Sequence, residues 1–434
     1  MTMDFRTLPA GPLRLDNVTV PACLLGLPGD LVRSSLAFDA VIVANGSTAI
    51  DTAIDTAIDT AIDMGGAMVL PCFTDMHTHL DKGHIWPRSP NPDGTFMGAL
   101  TTVAADRVAR WSAADVARRM EFSLRCAHAH GTRAIRTHLD SLAPQDAVSF
   151  PVFAAMRDRW AGRIELQAAC LVGAGDFSTE GAFRGTADIV ADHGGVLGMV
   201  TYPLPDIASR IRDFLGMAAA RGLSADFHVD ETQDPASNTL RAIAEAVIDT
   251  GFAAPVVVGH CCSVARMHEA EAMATLDLVA RAGLHVVSLP MCNLYLQDRQ
   301  AGRTPRSRGI TLVHEMKARG INVSFASDNT RDPFYAYGDM DMLEVLREAT
   351  RIAHLDHSAA DWVQAFLGNP ARACGFAAPG LAVGAPADLV IFRARNWSEL
   401  LSRPQSDRIV LRAGRAIDRT LPDFAELDDL MEPK

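Results

Sequence analysis

The chain has 434 residues, of which 48% are hydrophobic and 21% are charged, and its formal net charge at pH 7 is -12. This length and hydrophobic content exclude a small disulfide-stapled domain and a disordered chain. The acidic balance gives no electrostatic reason to expect a nucleic-acid partner and favours a small neutral or cationic ligand.

The N-terminal segment resembles neither an export signal nor a membrane anchor. The start, MTMDFRTLPAGPL, lacks a basic region followed by an apolar run. No stretch of the chain reaches the ~18 consecutive apolar residues of a membrane span. We therefore expect a cytoplasmic protein with no membrane partner. The eight cysteines form no C-x-x-C pair and lie mostly in apolar segments, which predicts buried, reduced thiols.

The two ends of the chain are predicted to form one small β domain. Short strand-like pieces separated by Gly, Pro and Asp lie within residues 12–46 and 378–420. Neither end alone has enough strands to close a core, so we expect residues 1–66 and 377–434 to pair as a discontinuous β-sandwich. Four TAID repeats at residues 48–63 are too short for a solenoid, and we assign them no function.

Between these ends, over residues 67–376, eight apolar runs rich in β-branched residues alternate with segments of helical periodicity. The runs lie at residues 67–75, 132–140, 164–172, 196–203, 223–231, 254–261, 284–293 and 321–329. Helices are predicted at 113–130, 206–221, 238–250 and 267–282. Eight near-continuous apolar strands separated by helices predict a parallel, closed (β/α)8 TIM barrel, an α/β fold.

Polar residues mark the C-terminal ends of the predicted strands, where barrels of this kind carry their catalytic groups. These ends hold His77, His79, His138, Asp140, His228, Glu231, His260, Asn293, Asp328 and Asn329. Residues two apart in a strand point the same way, so His77 and His79 can present two imidazoles to one point. An H-x-H pair alone is more often a surface or core feature. Together with His228, His260 and Asp328 it predicts a site for Zn²⁺ or Fe²⁺.

Glu231 lies three residues after His228, beyond the predicted strand. Its carboxylate could reach over a metal site and pass protons to a substrate nitrogen. The alternative is a solvated loop acid or a charge at a helix start, since Glu231-Thr232 also resembles a helix N-terminus.

Taken in chain order, these segments resemble the amidohydrolase superfamily and, within it, the cytosine deaminase branch. The resemblance covers nearly the whole chain through PCFTDMHTHLDK, HVDE, Gly259-His260, LPMCNLYLQDR, SDNTRDPFY and GLAVGAPADLVIF. It implies one metal with four ligands: His77, His79, His228 and Asp328. It also implies that Glu231 is the proton shuttle and that His260 hydrogen-bonds the metal-bound water. The fourth run, VLGMVTYP, has no counterpart of the Lys that bridges two metals in dihydroorotase-like relatives, which favours a single-metal deaminase. In the resulting scheme Asp328 also takes a proton from the water.

Departures from the resemblance bear on the substrate. Gly173 stands where typical bacterial cytosine deaminases carry a glutamine that grips the pyrimidine, and Asn329 replaces the acid that commonly follows the metal-binding aspartate. We expect a deaminase of cytosine or a 5-substituted cytosine such as 5-methylcytosine, giving the uracil or thymine product and ammonia. Phe334 and Leu80 are predicted to line its pocket. Further candidate contacts are Lys82, Trp86 and Gln297.

Two alternatives stay open at this point. One is an aminohydrolase of a triazine, pterin or purine ring, because Asp328-Asn329 also resembles triazine-degrading relatives. The other is a metal-binding barrel without turnover, which an ammonia-release assay would distinguish. If the protein is an enzyme, we expect its substrate to be a small nucleobase-like molecule. The resemblance also implies a homo-oligomer.

Overall fold

The fold is described from a computed structural model over residues 8–46, 58 and 60–432. Its strands, numbered in chain order, are β1 (Leu13–Pro21), β2 (Leu31–Phe38), β3 (Ile42–Gly46), β4 (Ala61–Asp63), β5 (Met68–Pro71), β6 (Phe73–Thr78), β7 (Thr132–Asp140), β8 (Glu165–Gly173), β9 (Leu197–Thr201), β10 (Ala225–Val229), β11 (Val256–His260), β12 (His285–Ser288), β13 (Asn322–Phe325), β14 (Leu389–Phe392), β15 (Ile409–Arg412) and β16 (Arg415–Ala416). The α-helices are Phe96–Arg110, Ala113–His130, Asp146–Arg159, Ala182–Asp192, Ile207–Ala219, Thr239–Thr250, Glu269–Arg281, Pro290–Leu296, Val313–Ala318, Met342–Ala353, Gly368–Cys374, Trp397–Ser402 and Asp428–Met431.

Strands β6 to β13 form the predicted barrel. Each strand pairs in parallel with the next along the chain. A parallel bridge between Thr78 and Asp328 joins the last strand's loop to the first strand. There the Asp328 amide donates to the His77 carbonyl at 2.9 Å. The barrel is therefore closed at the edge where the polar residues lie.

Helix boundaries follow local signals in the sequence. Helix Ala113–His130 begins after Ser112, whose hydroxyl accepts from the Asp115 amide at 3.3 Å, and it ends at Gly131. Gly131 has a φ of 95°, and a Cβ there would lie 2.7 Å from Val390, so glycine is required for both backbone and packing reasons. This stop signal sets where β7 starts, at Thr132.

The second sheet has the order β16-β15-β14-β5-β1-β2-β3, with β4 paired to β1. It joins both ends of the chain, as predicted, because β14 pairs antiparallel with β5. The predicted domain boundaries, between residues 66 and 67 and between residues 376 and 377, stay a prediction. Most of the TAID repeat lies outside the described residues, but Ala61–Asp63 of its last copy pairs in parallel with β1.

Two of the predicted strands include residues that belong to another sheet or to a helix. The run at 67–75 is divided, since Met68–Pro71 belongs to the second sheet and the barrel strand begins at Phe73. Both pieces are fully buried, so apolar composition cannot assign them to one sheet or the other. The run at 284–293 ends at Ser288, because Pro290 starts a helix, where its missing N–H is tolerated.

The main hydrophobic core lies around the barrel strands and their helices, and a smaller one lies on the second sheet. All eight cysteines are free, and all but Cys23 are buried, as predicted. Among the helices of the described residues, none has the length and apolarity to span a membrane.

Candidate active site

Three histidines converge at the C-terminal end of the barrel. His77 is the penultimate residue of β6, His79 directly follows this strand, and His228 lies near the end of β10. The Nε2 atom of His228 is 3.1 Å from that of His77 and 3.4 Å from that of His79. The predicted H-x-H pair therefore meets a third imidazole from the opposite part of the barrel.

Asp328 completes this group. Its Oδ1 lies 3.2 Å from His79 Nε2 and 3.7 Å from His77 Nε2, and its side chain is 1% exposed. The backbone of Asp328 has a φ of 62°, in the left-handed region that costs a non-glycine residue about 1–3 kcal/mol. The bridge to Thr78 holds it there.

The donor set fits a divalent cation. Neither carboxylate oxygen of Asp328 has a hydrogen-bond partner in the described part of the chain, although both are buried. Burial and neighbouring imidazoles hold the pKa of His77 well below its usual range, and burial does the same for His79 and His228. Neutral imidazoles and a carboxylate aimed at one point are the ligands that Zn²⁺ and Fe²⁺ accept.

Glu231 and His260 lie next to this group, on the side of the barrel formed by β10 and β11. Glu231 Oε1 is 3.5 Å from His260 Nδ1, and the Glu231 side chain is 11% exposed. Burial, reinforced by the charge of Asp328, raises the pKa of Glu231. One ligand atom each of His260, His77 and Asp328 lies within 4.8 Å of the other two, so these three residues could also share a metal ion. Glu231 therefore lies largely buried beside the histidine cluster.

His138 is a buried neighbour to which sequence analysis gave no role. Its ring centroid lies 4.0 Å from that of His77, and it could join His77 and His228 around a metal. Its Nε2 lies 3.0 Å from Asp226 Oδ1, and Asp226 also accepts from Arg136 at 2.9 Å. His138 therefore connects the cluster to a buried ion pair inside the barrel.

Asn293 was also missed as a functional residue. Its side-chain amide contacts both Glu231, at 3.1 Å, and His260, at 3.0 Å. Its position near the end of a predicted strand was the only signal. Sequence analysis also missed Gly259. A Cβ there would lie 3.0 Å from the His77 ring, so the absence of a side chain leaves space for this ring.

A cavity of about 490 Å³ opens beside Glu231. Its wall includes Phe96, Gln233, Leu296 and Gln297. Phe334, a predicted pocket residue, meets Phe96 edge to face at 5.5 Å. This brings the predicted contacts Gln297 and Phe334 to the same side of the site as the proposed proton shuttle.

Lys82 is buried beside the site. Its ammonium lies 3.4 Å from Asp140 and 4.9 Å from the ring of Phe334. The surrounding carboxylates, Asp140 above all, outweigh burial and raise the pKa of Lys82, so it stays cationic.

The remaining predicted substrate contacts, Leu80, Gly173, Asn329 and Trp86, contact residues outside the wall of this cavity. Leu80 is 1% exposed and packs in the main hydrophobic core. The atoms nearest to a Cβ added at Gly173 belong to Asp176 and Tyr202. Asn329 donates to Asp332 at 2.8 Å, which directs its amide toward its own loop. Trp86 is partly exposed, and its backbone amide bonds to the Arg331 carbonyl.

This barrel, with a histidine and carboxylate cluster at its strand ends, has the architecture of a metal-dependent hydrolase. Residues 175–417 match the amidohydrolase family. A pterin deaminase from Rhizobium rhizogenes (strain K84 / ATCC BAA-868) is 52% identical over 437 residues, covering 99% of this chain and 100% of the relative.

Solved structures agree with this match. The 5-methylcytosine deaminase from Klebsiella pneumoniae, liganded with 5-fluorocytosine, superposes with a TM-score of 0.79 at 25% identity over 94% of this chain and 98% of that one. The N-isopropylammelide isopropylaminohydrolase from Burkholderia multivorans ATCC 17616 shares the fold, with a TM-score of 0.71 at 24% identity over 94% and 98% of the two chains. The chain belongs to the amidohydrolase family. Within that family it is a hydrolytic deaminase.

Proposed function

We propose that this enzyme deaminates pterin, 2-amino-4-oxopteridine, to 2,4-dioxopteridine and ammonia. The observation that carries the proposal is the 52% identity, over nearly the whole chain, to a protein named pterin deaminase. The relative named 5-methylcytosine deaminase is 25% identical. This difference favours the pterin alternative over the cytosine prediction.

The cavity beside Glu231 supports a two-ring substrate. Its wall includes Glu231 together with Phe96 and Leu296, whose apolar surfaces suit the faces of a pteridine. The cavity, of about 490 Å³, has room for both rings of a pterin. The second ring of pterin would extend into this space.

Two glutamine amides in the cavity wall suit the lactam edge of pterin. Gln233 Nε2 donates to Gln297 Oε1 at 2.9 Å. Within the described residues, Gln297 Nε2 and Gln233 Oε1 make no side-chain hydrogen bond, which leaves one amide nitrogen to donate and one amide oxygen to accept. A carbonyl next to a ring N–H presents the complementary pair.

One divalent ion, Zn²⁺ or Fe²⁺, would be held by His77, His79, His228 and Asp328. Such an ion supplies hydroxide at neutral pH by lowering the pKa of water. The protein's own groups orient the reactants. Asp328 accepts a proton from the attacking water, and the buried Nε2 of His260 faces the site and can hydrogen-bond the oxygen of that water.

Glu231 moves the proton that the ring needs. The amine of pterin leaves from C2, which lies between two ring nitrogens, so attack at C2 builds negative charge on one of them. Burial raises the pKa of Glu231, which favours its protonated form, and delivery of that proton to the ring nitrogen removes the charge. Asp328 then passes the proton it took from water to the amine, which departs as ammonia. The oxygen from water stays on C2, and its remaining proton returns to Glu231, which restores the acid.

The test is incubation of metal-loaded protein with pterin in H₂¹⁸O. We expect release of one ammonia per 2,4-dioxopteridine formed, with one ¹⁸O in the product by mass spectrometry. No ammonia from pterin, with turnover of cytosine instead, would contradict the proposal. No turnover of any aminated ring by protein that holds its metal would favour the non-catalytic barrel.

A further inference from the structure

Asn293 joins the two groups that the proposed reaction uses for proton handling. Its side chain is 1% exposed and lies in helix Pro290–Leu296, directly after β12. Its Nδ2 donates to Glu231 Oε1 at 3.1 Å and contacts His260 Nδ1 at 3.0 Å. An amide nitrogen carries two hydrogens, so it can donate to both acceptors at once.

The contact with His260 decides where that ring carries its proton. Nδ1 can accept the Asn293 hydrogen only if it is unprotonated, so the neutral imidazole carries its hydrogen on Nε2. Nε2 is buried and has no hydrogen-bond partner in the described part of the chain. The His260 ring lies 5.4 Å from the ring of His77 and 5.1 Å from that of His228. With Nδ1 turned toward Asn293, the hydrogen on Nε2 lies on the other edge of the ring, beside the histidine cluster.

The contact with Glu231 fixes one oxygen of its carboxyl group. Oε1 accepts from Asn293, whereas Oε2 accepts no hydrogen bond from any residue that the structure describes. One oxygen is thus anchored, and the other is left to exchange a proton with a substrate nitrogen. A carboxyl held by one oxygen keeps its direction while its second oxygen stays reactive.

We propose that Asn293 is a positioning residue that sets the tautomer of His260 and the orientation of Glu231 together. The inference rests on the proposed roles of Glu231 and His260 in deamination. It predicts that one side chain, outside the metal ligands, controls both the donor that faces the attacking water and the group that protonates the ring.

The chain offers a matched control at the opposite end of the barrel. Asn322 Nδ2 contacts His285 Nδ1 at 2.9 Å, and these are the first residues of β13 and β12. The pair has the same chemistry as Asn293 and His260 but lies at the N-terminal ends of the strands, away from the site. A purely structural role for such an amide would give the two asparagines similar effects.

The test compares Asn293→Asp with Asn322→Asp in metal-loaded protein. Aspartate has nearly the same shape as asparagine but cannot donate to Nδ1, and as an acceptor it would draw the hydrogen of His260 from Nε2 to Nδ1. We expect Asn293→Asp to lower kcat about 100-fold or more, with little change in KM and an unchanged metal content. Asn322→Asp should keep the wild-type kcat. Equal loss of kcat in both variants, or none in Asn293→Asp, would overturn the proposal.

A spectroscopic measurement tests this proposal independently of the proposed substrate. Histidine labelled with ¹⁵N in the zinc-loaded protein reports which ring nitrogen is protonated, and the His260 signals are assigned by their loss in His260→Gln. We expect a protonated Nε2 in the wild type and a protonated Nδ1 in Asn293→Asp. A protonated Nδ1 in the wild type, or the wild-type tautomer in the variant, would contradict the proposal. Because this measurement needs no substrate, failure to turn over pterin would count against the proposed function alone.

Discussion

Glu231 is the side chain whose replacement should separate turnover from metal binding. Glutamine keeps its size and its contact with Asn293 but cannot pass a proton. We expect Glu231→Gln to lower kcat by about 10²- to 10⁴-fold while the metal content stays at the wild-type level. Steady-state ammonia release and elemental analysis measure the two quantities. Glu245→Gln, an exposed acid paired with Arg241, is the control. Full activity of Glu231→Gln would refute the proton-shuttle role.

His79 should show the opposite behaviour. Its Nε2 lies within 3.4 Å of both His228 and Asp328 atoms, so its loss opens the proposed ligand set. We expect His79→Ala to bind less metal per protein chain than the wild type. The control is His357→Ala, since the His357 side chain is 92% exposed. A metal-to-protein ratio in His79→Ala equal to that of the control would rule out the ligand assignment.

In strand β11, the missing side chain of Gly259 leaves space for the ring of His77, a proposed metal ligand. A Cβ at Gly259 would lie 3.0 Å from His77 Cε1 and 3.2 Å from its Nδ1. We expect Gly259→Ala to shift the His77 ring and lower metal content.

Gly216→Ala is the matched control for this change. Gly216 lies in helix Ile207–Ala219 with open space where its Cβ would be, and alanine there should stabilise the helix by about 0.5–1 kcal/mol. Metal affinity and the free energy of unfolding are measured for both variants. Normal metal affinity in Gly259→Ala would show that His77 does not depend on this space.

The barrel strands could be predicted because their apolar, β-branched runs end in polar residues. The run at 132–140 is β7 itself, and the runs that contain β10 and β11 place His228 and His260 correctly. Sheet membership could not be predicted for Met68–Pro71, because a strand buried on both faces has the same composition in either sheet.

The roles of Asn293 and His138 could not be predicted for a different reason. Asn293 was placed in a strand, but Pro290 turns its segment into a helix, and this redirects its side chain toward Glu231. His138 was placed at a strand end, but its contact with Asp226 depends on the register between β7 and β10 around the closed barrel. Both contacts join residues far apart in sequence, so no local pattern encodes them.

On the scale of the whole molecule, a buried ion pair joins the C-terminal segment to the barrel. Arg408, directly before β15, donates to Asp341 at 2.8 Å and 2.6 Å, and Asp341 caps helix Met342–Ala353. Loss of one partner of a buried pair costs about 3–5 kcal/mol, because the other charge stays buried. We expect Arg408→Met to be destabilised by this amount at pH 7 in denaturant unfolding. Arg395→Ala, in the exposed pair with Glu399, should remain near the wild type.

The same pair predicts a pH dependence. Burial alone would raise the pKa of Asp341, but Arg408 outweighs it and lowers the pKa from 3.8 to about 2. A lowered pKa stabilises the fold above the unfolded-state value and loses that contribution as pH falls through the folded-state value. The difference in free energy of unfolding between wild type and Arg408→Met should therefore shrink between about pH 4 and about pH 2. A constant difference over this range would show that Asp341 is not the partner that matters.

The most direct test of the central claim is the ratio of kcat/KM for pterin to that for cytosine, measured on one zinc-loaded preparation. The sequence relationship favours the two-ring substrate, and the cavity beside Glu231 has room for it. We predict a ratio of about ten or more, equivalent to about 1.4 kcal/mol of transition-state preference. A ratio below one, with cytosine or 5-methylcytosine as the better substrate, would contradict the assignment.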